Sequence, residues 1–386
     1  MRSVSKLISV ALLGLTASCA GTDQDAADLN VAMISARGSH ADLMFANYSD
    51  VVGLVESLQI AVDAFLASPT AGTLQDAKDA WNLARPYYLQ AEAARFYGGP
   101  IDALHSSLNA APVDGSYIDY VVGDPNSGII NDEIGYPTID ATVLRAANGV
   151  GGATSVATGW HALEFLLWGE DTSVGGPGTR PEADYTATLN FARRSTYLGV
   201  VAAMLVSDLT TVRDAWAPNT GAYRTTFIGL SPGTAATHIL TGSATLGFGE
   251  LRNERILTPY TSQDEQDEQS NFSDTTHLDL IHNGLGIQNI WTGSYDAFDN
   301  AFDYDGFGMD DVFAVGSAAD GVAVTTAITD AVNALQAQVT PFDQAILGAN
   351  STAGRLALQA CMDRLNDYNV AILAGSSELG LTVTSN

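Results

Sequence analysis

Between Trp160 and Trp168 the chain carries seven residues, and only His161 and Glu164 among them can ionise. Every other side chain there is apolar. A helix with no polar face has none to turn to water, so this segment must be enclosed by other elements. His161 and Glu164 stand three apart and share one face of such a helix. Leaving a buried polar group without a partner costs on the order of 2–7 kcal/mol, and more for a charge. The pair must therefore meet a polar cavity, a metal or a hydrogen-bonding network.

The shell around it reads as helical. Val51, Leu54, Val55, Leu58, Val62, Phe65 and Leu66 recur at steps of three and four, the spacing of one buried helix face. Trp81, Ala84, Tyr88 and Ala91 continue the pattern over 80–96 until Gly98-Gly99-Pro100 stops it, with Pro86 marking a kink or a new start. Residues 106–140 carry Gly, Pro, Asn and Asp at short intervals and read as a long irregular connection of the kind that often serves function. Further helices are predicted over 156–168, 184–216, 234–256, 279–298, 323–337 and 352–373. Strand-like alternation is scarce. The expectation is an all-α fold of two helical bundles side by side, 32–190 and 191–383, in keeping with a length of 386 residues.

The N-terminus reads as a targeting segment. Arg2 and Lys6 precede the apolar run Leu7 to Leu15, which is too short to span a bilayer and ends in Thr16-Ala17-Ser18-Cys19. That box resembles a bacterial lipoprotein cleavage site, with Thr16 where Leu is usual. It predicts a signal peptide over 1–18, lipidation of Cys19, a polar tether over 19–31, and membrane contact through the anchor alone. Tyr197 to Val206, the most apolar run elsewhere, has half the length of a membrane span. Lysine and arginine number 16 against 44 acidic residues, a formal charge of −28 that excludes nucleic acid as a partner and suits solubility in a salty medium. With Cys19 committed to lipid, Cys361 is a lone thiol on a helical face, and a disulfide framework is excluded.

His-x-x-Glu by itself has little specificity, and a hydrogen bond between helices explains it as well as a ligand site does. The surrounding residues add more. Gly159-Trp-His161-Ala-Leu-Glu164-Phe-Leu-Leu-Trp168-Gly-Glu-Asp171 resembles the Gly-x-His-x-x-Glu motif of the imelysin family. Trp81-Asn-Leu-Ala-Arg85 with Glu92-Ala-Ala-Arg95-Phe96, Glu250-Leu-Arg-Asn-Glu254-Arg255, Phe272-Ser-Asp274-Thr-Thr-His277-Leu-Asp279 and Pro341-Phe-Asp343 resemble its other blocks in order. Where relatives carry His-Ser-Cys, this chain has Gln269-Ser270-Asn271.

The resemblance implies two helical bundles with the motif helix lining a cavity near their junction. It also implies iron acquisition in a bacterial envelope, periplasm-facing or on the outer membrane, alongside envelope iron-transport components, and a peptidase label, M75. Gly159, Glu92, Arg95, Asp274, His277, Glu250 and Glu254 become candidate ligand-binding residues. His161 and Glu164 become candidate metal ligands for iron or zinc, or a catalytic pair, with His277 and Glu268 behind them. A zinc protease of the usual kind uses His-Glu-x-x-His and a third ligand, and this chain has no such motif. Three readings follow: an exported protein binding a metal or small ligand, a metallopeptidase, and a non-catalytic envelope scaffold. The acidic loop with Asp303, Asp305, Asp310 and Asp311 lacks the spacing of a calcium-binding EF-hand and reads as a flexible acidic loop.

Overall fold

The computed structural model describes residues 20–173 and 175–385. The expected signal peptide over 1–18 and the expected lipidation site Cys19 lie outside the described residues. Ten helices organise the rest, with shorter helical turns between them. They are α1 (Ala20–Ala67), α2 (Ala71–Gln90), α3 (Pro100–Leu108), α4 (Gly159–Trp168) and α5 (Phe191–Ala215). The second half adds α6 (Pro232–Ala244), α7 (Thr276–Thr292), α8 (Met309–Gly316), α9 (Ala318–Gln336) and α10 (Ala353–Glu378). Thr245–Leu257 continues α6 as a π-helix. Ser294–Tyr295 and Tyr304–Asp305 form a small antiparallel ribbon, β1 and β2. The fold is all-α, as the residue spacing predicts.

Helix α1 is 48 residues long, about 72 Å of continuous helix. It packs on α2 and α5, and along the same spine on α6 and α8. Its first turns are the segment 20–31 expected as a tether. Ala, Leu and Gln favour helix, and extending a formed helix costs little, so the polar stretch continues α1, with the side chains of 24–31 mostly exposed. Helix α2 passes through Pro86 to end at Gln90, neither broken nor restarted. Trp81, Ala84, Tyr88 and Leu89 are fully buried on either side of the proline, and that packing outweighs a cost of about 3 kcal/mol.

Helix α5 begins at the boundary expected near 190, yet it packs on α1, α3 and α4. Its 25 residues are long and apolar enough to cross a membrane, more than the run Tyr197 to Val206 suggested. Its buried Arg194 is held by Asp119, and Asp208 by Arg145, so those polar positions are spent inside the protein. In the second half, α10 packs on α9 and on the π segment, and α7 on α9. The helix expected to reach residue 298 stops at Gly293, whose φ of +67° is the left-handed cap glycine permits. The acidic loop that follows is ordered by the β1–β2 ribbon and by Asp303, which accepts the amide of Ala297 at 2.9 Å.

The two halves meet where α2 lies against α7. Asn283 donates to the Leu89 carbonyl at 2.9 Å, and Asn289 to the Gln90 side chain at 2.8 Å. Gly286 sits at the closest approach, where an added Cβ would stand 2.4 Å from the Gln90 carbonyl oxygen. Gly286→Ala is therefore expected to cost about 1–3 kcal/mol by overpacking this seam. The urea midpoint of the purified variant checks it; an unchanged midpoint would show that the seam yields.

Candidate functional site

Helix α4 is buried over all ten of its residues. Its first residue, Gly159, has φ +83°, and a Cβ there would lie 2.3 Å from the Leu108 carbonyl oxygen. Glycine at this point lets α4 start hard against the end of α3. Trp81 of α2 donates its indole N–H to the Trp160 carbonyl at 3.2 Å, fixing α4 against α2. These contacts set the direction in which His161 and Glu164 point.

His161 Nδ1 lies 2.7 Å from Glu164 Oε2. Its other nitrogen, Nε2, is 3.2 Å from Arg85 Nη2 and 3.2 Å from Gln269 Nε2. A guanidinium can only donate, so Nε2 accepts and the ring proton sits on Nδ1, donated to Glu164. Burial, with Arg85 beside it, holds the imidazole neutral, its pKa well below the usual value. Glu164 Oε1 accepts both the amide and the hydroxyl of Ser273, at 2.9 and 2.6 Å. Burial pushes the Glu164 carboxyl up, to about 8, while Arg85 and Ser273 pull the other way.

Arg85 is the hub. Its Nε donates to Asp279 Oδ1 at 3.0 Å and Nη2 to Asp279 Oδ2 at 2.6 Å, with both side chains 1% exposed. Nη1 donates to Asn109 Oδ1 at 3.0 Å, and Asn109 in turn donates to Glu92 Oε1 at 2.9 Å. Glu92 Oε2 accepts Arg255 at 2.9 Å and Asn283 at 3.1 Å, and Arg95 lies 3.3 Å from Oε1. Burial alone would raise the Glu92 carboxyl, but the Arg255 and Arg95 guanidiniums hold it well below the carboxylate range. Glu250 completes the set, 3.2 Å from Arg255 and 3.7 Å from Arg95. Three guanidiniums thus face the carboxylates of Asp279, Glu92 and Glu250. The π-helix contributes geometry here, because its i→i+5 hydrogen bonds bring Glu250 and Arg255 onto one face.

This network is the floor of a cavity of about 540 Å³ between α3, the loop after it, the π segment and residues 267–269. Its polar lining includes His105, Asn109, Glu250, Glu254, Arg255, Asp267, Glu268 and Gln269. Ala110, Ala111, Pro112, Ala153 and Val156 form an apolar wall. Glu268 is 2% exposed, and its Oε1 has no hydrogen-bond partner. Burial pushes its carboxyl up to about 9. Burial also lowers His105 to about 4, and its Nδ1 has no partner.

The structure therefore gathers His161, Glu164, Glu92, Arg95 and Glu250 into one connected network, with Glu254 and Glu268 at the cavity beside it. Gly159 is used for the close approach to α3. His277 lies apart, with no hydrogen bond to the network among the described residues. Asp274 also lies apart, its backbone at φ +57° and its carboxyl raised to about 7 by burial and then by the Asp343 and Asp171 charges. Gln269, the residue that departs from the family pattern, caps His161 Nε2, whereas Asn271 turns to Gln266 at 3.4 Å. Arg85, Asn109, Arg255, Ser273 and Asn283 carry the network without having been singled out as site residues. The signal for Arg85 and Asn283 was a polar residue inside an apolar helical stripe, beside Ala84 and Tyr88 in one helix and Leu280 and Ile287 in the other.

A metal bound by His161 needs a free ring nitrogen, and the two nitrogens here are taken up by Glu164 on one side and by Arg85 with Gln269 on the other. The fixed positive charge of Arg85 also repels a cation at Nε2. Among the described residues, no three His, Cys, Asp or Glu side chains are gathered to hold a metal ion. The His161–Glu164 pair as it stands does not fit a metal centre.

Arg85→Met leaves Asp279 buried without its counter-charge and is expected to cost about 3–5 kcal/mol of stability. Arg85→Lys is expected to recover only part of this, because an ammonium cannot reproduce the forked contact. Urea unfolding of both variants checks the prediction; full stability of Arg85→Met would remove Arg85 from the centre of the network.

A family model described as imelysin, peptidase M75, matches residues 44–371. Among solved structures, an iron-regulated protein A precursor from Parabacteroides distasonis ATCC 8503 superposes with a TM-score of 0.70 at 18% identity, covering 90% of this chain and 95% of that one. An imelysin-like protein from Psychrobacter arcticum 273-4 superposes at 0.60 and 14% identity, covering 97% and 100%. No curated protein matches the sequence. With the family model spanning most of its length, the chain belongs to the imelysin family.

Proposed function

We propose that this protein is an exported envelope protein that captures a cationic ligand, with iron uptake as its setting, in the carboxylate-lined cavity beside the His161 network. One observation carries the reading: Glu268 lines a 540 Å³ cavity with a buried carboxyl oxygen that nothing in the protein satisfies. Glu250, Glu254 and Asp267 share that lining, against a single Arg255 whose charge Glu92 and Glu250 already balance. Carboxylate oxygens are hard acceptors, and since no three of them converge on one point among the described residues, the lining suits a cation or metal complex that keeps part of its hydration shell. The iron setting rests on the name of the Parabacteroides protein and on family membership.

In this reading His161 and Glu164 position the floor rather than touch the ligand. His161 fixes Gln269, Gln269 lies in the cavity wall, and Arg85 fixes Asn109 beside it. The peptidase reading requires an open ligand or base position, and His161 offers none in this arrangement. The scaffold reading draws its support from the same complete hydrogen bonding, which leaves the motif pair with a structural task.

Two results follow. A cation entering the cavity displaces the proton that Glu268 holds up to about pH 9, so binding releases protons and tightens as pH rises from 6 toward 9. Glu268→Gln is expected to weaken binding of Fe²⁺ or Zn²⁺ by about tenfold and to flatten that pH dependence, measured by anaerobic titration calorimetry. His161→Ala is expected to lower the unfolding midpoint while leaving affinity within about threefold. A folded His161→Ala variant that loses all cation binding would overturn the proposal in favour of direct ligation.

The empty protein has its own pH signature. The Glu268 carboxyl is raised from a usual value near 4.3 to about 9 in the fold. Its contribution to stability is present below pH 4.3 and is lost as pH rises through about 9. Glu268→Gln should therefore reduce the fall in melting temperature between pH 6 and 9; an unchanged slope would show that Glu268 is already ionised.

A further inference from the structure

Lys78 is one of only two lysines in the sequence, the other being Lys6, and it is placed where a lysine is hardest to explain. It projects from the first half of α2, half-buried, with Nζ 5.4 Å from the centre of the Trp168 ring. No carboxylate lies within ion-pair distance of it among the described residues. Its pKa is lowered by burial first and then by Arg180, a second cation. In a chain with a formal charge of −28, an uncompensated ammonium facing a guanidinium is the reverse of the general surface.

The two cations line a cavity of about 470 Å³ between α2, the end of α4 and residues 177–182. Arg180 is 6% exposed, and its Nη1 is bound to Asp119 at 2.7 Å and Asp184 at 3.0 Å. Its Nε has no partner. Leu74, Trp168 and Pro177 supply an apolar wall, and Glu182 is the one acidic residue of the lining. Ser273 reaches the same cavity while its hydroxyl donates to Glu164.

We propose that this second cavity binds a small organic anion, with its carboxylate or phosphate at Lys78 and its apolar body against Trp168 and Pro177. The bound anion supplies the counter-charge that Lys78 lacks. Its neighbour Ser273 puts it one hydrogen bond from Glu164. The two cavities therefore take ligands of opposite charge, and this proposal stands whether or not a cation binds at Glu268.

The scarcity of lysine makes the test direct. Reductive ¹³C-methylation of the purified protein gives Lys78 a resolved NMR signal, and benzoate, acetate and inorganic phosphate are titrated as probes. An anion seated at Lys78 raises its pKa and shifts that signal saturably. Lys78→Met is expected to weaken binding at least about tenfold by calorimetry, and Lys78→Arg to keep it within about threefold. Saturable binding of benzoate and acetate marks a carboxylate site, and of phosphate a phosphate site, either supporting the proposal. Absence of any saturable shift with all three probes, or unchanged binding in Lys78→Met, overturns it.

Discussion

Arg85 and Asp279 stand 194 residues apart in sequence and meet in a forked contact inside the protein. One belongs to α2, in the first half of the chain, and the other to α7, in the second. Neither charge reaches water, so each depends on the other for its solvation, and the halves cannot separate without exposing both. The Gly286 seam and the Asn283 and Asn289 contacts lie along the same pair of helices and bring the two charges into register. The motif pair is organised from this point, since the proton on His161 Nδ1 follows from Arg85 donating to Nε2.

The network is built as a balance. A chain with such an excess of carboxylates concentrates three of its few arginines, Arg85, Arg95 and Arg255, at one buried point and neutralises them there. Desolvating such groups is expensive, and replacing them by apolar residues would often stabilise a protein. Their value therefore lies in specificity of geometry: a forked guanidinium accepts few arrangements of its partners, and the cavity above inherits that rigidity. The charge left over falls on the cavity lining at Glu254 and Asp267, beside the protonated Glu268, where an incoming group can meet it.

Much of the fold was legible because apolar spacing follows helix geometry. The core faces of α1, α2, α5, α9 and α10 can be read from residues such as Val55, Tyr88, Leu205, Val324 and Leu365. The motif segment was legible for the opposite reason, two ionisable residues in an unbroken apolar run. What escaped depends on tertiary packing. Nothing local tells that Pro86 is carried through, because the packing of Trp81 and Tyr88 decides it. Nothing local separates the exposed beginning of α1 from a tether, since both are polar and small. The partners of His161 come from positions 85, 164 and 269, and the donor set of a buried imidazole is a property of the assembled helices. A spacing of three residues predicted that a site exists without telling a ligand from a brace.

The π-helical stretch Thr245–Leu257 bears on how such a sequence can vary. In an α-helix, residues five apart diverge by about 140° around the axis, so Glu250 and Arg255 could not both face Glu92 and Arg95. Removing a single residue between them would restore ordinary winding and leave the two four apart, about 40° around the axis and still on one face. The wide turn is therefore equivalent to one residue inserted into an α-helix. A relative one residue shorter at this point keeps both side chains turned inward, so the pairing of glutamate with arginine here constrains the face they share rather than the length of the segment.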